Sequence, residues 1–88
     1  MVTIKKKTWP EYFEEVLSGK KKFDLRLNDF KLKEGDTLLL QEWDPRTKEY
    51  TGREIGKKVI NIHTFGLNDF GQEKEIKEKG FLIISLED

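Results

Sequence analysis

Ser18-Gly19 separates two hydrophobic periodicities that no single element can satisfy. Before it, Trp9, Tyr12, Phe13, Val16 and Leu17 recur at the 3,4 spacing of one helical face. After it, Lys21, Phe23, Leu25 and Leu27 alternate with Lys22, Asp24 and Arg26, the period of a strand. The chain must therefore turn from a short amphipathic helix into an extended segment at Gly19, which is free to take the left-handed conformation of a helix end. The predicted helix spans about residues 9–18. Thr8 is its expected N-cap, with Glu11 at capping-box spacing, and Pro10 suits the first turn, where its missing N–H costs nothing.

The rest reads mostly as strand. Val2-Thr3-Ile4 is a short first strand with a basic exit, Lys5-Lys6-Lys7. Phe30 to Asp36 is a loop closing in a turn at Gly35. Thr37 to Trp43 is a strand enclosed on both faces, judging from Leu38-Leu39-Leu40. Asp44-Pro45-Arg46-Thr47 is a turn, and Lys48 to Gly52 leads back into a long strand, Arg53 to Thr64. The apolar parity of that strand switches around Gly56, which predicts a bulge there. Gly66 to Gly71 reads as a loop, and Gln72 to Lys79 as an exposed helical turn or an ordered loop. Phe81 to Leu86 reads as a buried closing strand. One early helix among many short strands predicts an α+β, mainly β domain: a small bent sheet or barrel with the helix against one side.

Composition narrows the function classes. Eighty-eight residues make a single small domain, 1–88, with a modest core. With no cysteine and one histidine there is no disulfide framework, and a structural zinc site is not expected. No long apolar run follows the N-terminal lysines, so neither a signal peptide nor a membrane span is expected, and the expected location is cytoplasmic. Charged residues form 39% of the chain and balance to zero, but unevenly. Residues 1–33 hold nine Lys/Arg against five Asp/Glu, and residues 34–88 hold eight against twelve. The balance allows a basic region on a neutral body, not a uniformly basic protein. Fourteen Lys and eleven Glu with two Gln also fit a thermophilic source.

Leu17-Ser18-Gly19 followed by Lys20-Lys21-Lys22-Phe23-Asp24-Leu25-Arg26 resembles the G-x-K-(T)-x-E-x-R signature of the ASCH domains in the PUA-like superfamily. Lys33-Glu34-Gly35-Asp36-Thr37-Leu38 resembles that group's G-D turn into a barrel strand. Glu42-Trp43-Asp44-Pro45 and Tyr50-Thr51-Gly52-Arg53-Glu54 look like a short subfamily of unknown function within it. The resemblance covers roughly residues 4–64 plus the closing strand. It implies a PUA-like pseudo-barrel of about five to six strands, a cleft between the helix and the barrel, and RNA binding. In some small ASCH members it implies an amidohydrolase acting on N4-acetylcytidine, with the positions of Lys21 and Asp24 in the catalytic set. This chain departs from the signature at Lys22 and at Asp24, and lacks the longer insertion that supplies a further glutamate.

The leading expectation is therefore an RNA- or nucleotide-binding module in which Lys20, Lys21, Lys22, Asp24 and Arg26 meet the ligand. Arg26 would grip a phosphate or base edge in its planar fork, oriented by Asp24; an ordinary ion pair of that kind contributes only about 0–1 kcal/mol. Trp43 and Trp9 are candidate stacking platforms, although Trp9 also suits a core. No catalytic set is assigned; Lys21 and Asp24 carry it if the protein is an enzyme. On a regular strand those two side chains point to opposite faces, which opposes their acting together. His63, alone, suits a rim. No cofactor, metal or membrane partner is expected. A protein-interaction module using the acidic second half and residues 65–80 is the remaining alternative.

Overall fold

A computed structural model of the protein describes residues 1–87. The order is β1 (Thr3–Thr8), α1 (Pro10–Leu17), β2 (Thr37–Asp44), β3 (Glu49–Lys58) and α2 (Glu73–Lys79). The three strands form one open sheet in the order β1-β2-β3, with β1 parallel and β3 antiparallel to β2. The fold is thus α+β with a mixed three-stranded sheet and two short helices.

Packing follows the pleat. Residues of even number on β1 and β2 face α1, so Ile4, Leu38 and Leu40 meet Val16, joined by Ile55 and Val59. Phe13 and Leu40 are the most deeply enclosed side chains. The β1-to-β2 connection holds α1, as parallel neighbours need a long crossover. Asp36 secures its far end. It is buried, and its carboxylate accepts from the backbone N–H of Val2 at 3.1 Å and of Lys33 at 2.9 Å. Those two bonds hold its pKa below the usual aspartate range. Gly35, at φ +97°, makes the turn possible.

Several elements differ from expectation, each for a physical reason. β1 runs through the three lysines to Thr8, because β2 pairs with it along its whole length. Thr8 therefore does not cap α1. Trp9 occupies the N-cap position without a side-chain cap, and the Thr8 hydroxyl instead accepts from Arg26. β3 ends at Lys58, because its partner β2 begins at Thr37, the residue opposite. The register irregularity lies not at Gly56 but between Gln41 and Trp43, where β3 sets Thr51, Gly52 and Arg53 against Glu42 alone.

The largest departures concern two expected strands. Residues 21–27 form no strand and join no ladder, and Leu25 and Leu27, expected in the core, are 59% and 80% exposed. Residues 81–86 also lack a ladder and are exposed, although β3 presents a free edge. Barrel closure by five to six strands is therefore not seen among the described residues. Gln72 to Lys79, open between two readings, contains a helix with a Lys77–Glu73 ion pair at 3.1 Å, and only Ile76 is half-buried.

Candidate functional site

α1, the irregular segment after it, and Phe81 and Ile83 near the C-terminus line an open cleft of about 750 Å³ beside β1. Two features of the sequence build it. Gly19, at φ +82°, ends the helix, and the Lys21 backbone N–H donates to Glu15 O at 3.0 Å, so the chain doubles back along α1. Arg26 then pins the segment to β1. Its Nε donates to Asp24 Oδ2 at 2.6 Å, one terminal nitrogen to the Lys7 carbonyl at 2.8 Å, and the other to the Thr8 hydroxyl at 3.1 Å. The Asp24 and Arg26 side chains are 18% and 27% exposed. The polar pair is the more covered and the leucines the more exposed, with Leu25 bordering the cleft, the reverse of the apolar-in expectation. Two directed bonds to the end of β1, with a third to Asp24, outweigh the apolar burial of Leu25 and Leu27.

Without a ladder, strict alternation does not apply between residues 21 and 24. Lys21 and Asp24 consequently line the same cleft, together with Arg26 and Trp9. The Lys21 ammonium lies 4.7 Å from the Tyr12 ring centre and 5.2 Å from that of Phe23. No carboxylate is within ion-pair distance of it among the described residues. Trp9 and Tyr12 stack with ring centres 6.4 Å apart and planes inclined by 24°. The cleft thus combines a cation on an aromatic surface, a carboxylate held by an arginine, a second carboxylate at Glu15, and a stacked ring pair.

The other expected site residues lie elsewhere. Lys20 and Lys22 are exposed and do not line the cleft. Trp43 is on the far face of the sheet, where the Lys7 ammonium lies 4.6 Å from its ring centre. His63 is exposed beyond β3. Arg26 is placed as a brace rather than an open fork, since three of its N–H groups are already bonded within the protein.

A second polar centre was not foreseen. Glu42 is 4% exposed, the third inward position on β2 after Leu38 and Leu40. The bulge around Gly52, at φ +95°, turns both Thr51 and Arg53 toward it. Thr51 Oγ1 donates to Glu42 Oε1 at 2.6 Å, and Arg53 donates from Nε at 2.9 Å and from a terminal nitrogen at 2.8 Å. Arg53 also bonds Glu14 on α1 and stacks 5.0 Å from the Phe13 ring centre. The arginine and then the threonine hold the Glu42 pKa below the usual glutamate range, and the two glutamates raise that of Arg53. The sequence signal was present: a carboxylate that continues the Leu38, Leu40 parity needs a buried partner.

Among the described residues, no helix is long and apolar enough to cross a membrane, and no group of three or more His, Cys, Asp and Glu side chains is placed to hold a metal ion.

These features define a small α+β domain with a polar, ring-lined cleft beside a parallel strand pair. The model of the family described as domain of unknown function DUF3850 matches residues 3–75, and the chain belongs to that family. The match includes the cleft residues of α1 and of the segment after it, and the Glu42–Arg53 centre; it stops before Phe81. An uncharacterised 12.9 kDa protein from the GpA 3′ region of Escherichia phage P2 is 36% identical over 52 residues, covering 59% of this chain and 46% of the relative. The matched region is thus less than half of that relative's length. No solved structure matches.

Proposed function

We infer that the protein is an RNA- or nucleotide-binding module, and that the cleft beside α1 is its binding site. One observation carries the reading: Lys21, Asp24 and the stacked Trp9–Tyr12 pair line one cleft of about 750 Å³, a size suited to a nucleoside with its phosphate. Lys21 supplies the charge for a phosphate. Trp9 supplies a face for a base. Asp24, oriented by Arg26, accepts from a base amino group. On this reading the ASCH and PUA-like resemblance extends to the way the cleft beside α1 takes its ligand. A cytoplasmic location suits such a ligand.

The test is a titration of labelled RNA pools and mononucleotides at low salt, for wild type, Lys21→Ala and Asp24→Asn. We expect binding whose affinity falls with salt, and a loss of about tenfold or more in each variant. Absence of binding, or equal affinity in all three proteins, overturns the reading.

A second reading has a specific observation behind it, the presence of Lys21 and Asp24 in one cleft. It is an amidohydrolase for a modified nucleoside such as N4-acetylcytidine. Water adds to the amide carbonyl, the C–N bond breaks, and cytidine and acetate leave. Asp24 would take the proton from water and return it to the leaving N4 nitrogen as the C–N bond breaks, and Lys21 would stabilise the developing oxyanion. Incubation with N4-acetylcytidine and chromatography for cytidine tests it; turnover retained in Lys21→Ala would assign the chemistry elsewhere.

A further inference from the structure

The sheet has a second face, and α1 does not cover it. Alternation along the ladders places Lys5 and Lys7 of β1, Trp43 of β2, and Tyr50, Glu54 and Lys58 of β3 on that side. Trp43 and Tyr50 are directly opposed across the β2–β3 ladder. Tyr50 is about half exposed, and Trp43 is partly covered. The Lys7 ammonium lies 4.6 Å from the Trp43 ring centre and 5.9 Å from that of Tyr50. The three lysines stand against a single carboxylate, Glu54, which already accepts from Gln41 Nε2 at 2.8 Å. The face is therefore positively charged, with two rings at its hairpin end and Lys58 at the other, within a chain of zero net charge.

We propose that this open sheet face is a stacking platform for single-stranded nucleic acid, with Trp43 and Tyr50 each taking a base and Lys5, Lys7 and Lys58 taking the phosphates. Charge complementarity selects the occupant. A row of lysines attracts a polyanion, and two rings at strand spacing match successive bases, whose faces stack whatever their sequence. An acidic peptide would satisfy the lysines and leave both rings without flat partners. Lys7 belongs to both surfaces. Its side chain reaches the ring pair, while it also borders the cleft, where its carbonyl holds Arg26. A strand with one nucleotide in the cleft can therefore continue over the β1 edge onto the platform. The proposal rests on the nucleic-acid reading of the cleft and extends it from a single nucleotide to a run of several.

The experiment measures a labelled twelve-nucleotide oligouridylate and uridine monophosphate against wild type, Trp43→Ala, Tyr50→Ala and Lys21→Ala. Circular dichroism and thermal melting confirm that each variant is folded, and Trp43→Phe, which keeps a ring, controls for packing. We expect the oligonucleotide to quench tryptophan fluorescence in wild type. Its affinity should fall roughly tenfold in Trp43→Ala and in Tyr50→Ala, recover most of that in Trp43→Phe, and leave mononucleotide binding unchanged. Oligonucleotide affinity equal to wild type in both ring variants overturns the platform and leaves the cleft reading standing. Tight binding of polyglutamate that depends on the lysines but not on the rings would assign the face to an acidic protein instead. Absence of oligonucleotide binding by wild type overturns both.

Discussion

Two arginines do different work in this domain. Arg53 forks onto Glu42, a carboxylate buried within the sheet, and adds Glu14 on α1, so helix and strands meet at one charged centre. Arg26 forks onto Asp24 and the end of β1, and holds a segment that has no ladder and little apolar burial of its own. The first arginine sits where packing already fixes the geometry, so its loss is felt as stability. The second supplies most of the order in its region, so its loss is felt at the cleft. The same side chain, with the same kind of acidic partner, is structural in one place and positioning in the other because of what surrounds it.

That contrast is sharpest against the apolar core beside Glu42. Leu40→Ala removes a fully enclosed side chain from a small core, and we expect a loss of about 3 kcal/mol or more in urea unfolding. In a domain of this size that is a large share of the total, and a cost below about 1 kcal/mol would mean the sheet–helix contact is not the stabilising centre.

Glu42→Gln comes next. It keeps the shape and removes the charge that Arg53 and Thr51 are arranged to meet, and roughly 1–3 kcal/mol should be lost. The pH dependence identifies the cause. The Glu42 pKa is lowered on folding, so its contribution is complete above the ordinary glutamate value of about 4.5 and disappears as pH falls through the lower, folded value. Asp36 acts in the same direction from its own lowered pKa. Wild type should therefore lose stability as pH drops below about 4.5, and the gap between wild type and Glu42→Gln should narrow over the same interval. A gap that stays constant down to pH 2 would show that the glutamine costs shape rather than charge.

Gly52→Ala probes the bulge that makes the centre possible. A methyl group there would meet nothing within 4 Å, so the cost comes from the backbone, at φ +95°. We expect about 1 kcal/mol by thermal melting. A neutral result would place the bulge's origin in the Glu42 contacts alone.

How far these regions were legible in the sequence follows from the same contrast. The helix and β2 were readable because Phe13, Val16, Leu38 and Leu40 carry their pattern in local spacing, and burial rewards that pattern. Residues 21–27 carry an equally regular alternation, yet Arg26 is pinned by Thr8 and Lys7, some eighteen residues away. No local period encodes that bond, and it leaves the polar side chains more covered than the leucines. Thr8 misled for a related reason, since its hydroxyl suits a helix cap and an arginine equally well. The cleft's membership was partly legible. Lys21, Asp24, Arg26 and Trp9 were all singled out, whereas Lys20 and Lys22 share their charge but not their direction.

The smallest expected change in stability carries the most information about the cleft. Arg26→Lys keeps the positive charge but has one ammonium where the guanidinium reaches three acceptors at once. Because the side chain is partly exposed and the segment packs little, unfolding should shift by no more than about 0.5 kcal/mol. The backbone of residues 21–27 should nevertheless loosen, read as faster amide hydrogen exchange there than in β2. Mononucleotide affinity should drop roughly tenfold as Asp24 loses its fixed orientation, with Lys21 and the Trp9–Tyr12 pair unaltered. If exchange rises and affinity holds, the segment moves without disturbing the ligand, and Asp24 is not a contact. If stability falls as far as in Glu42→Gln, the two arginines are alike after all, and the distinction between a structural centre and a positioning brace fails.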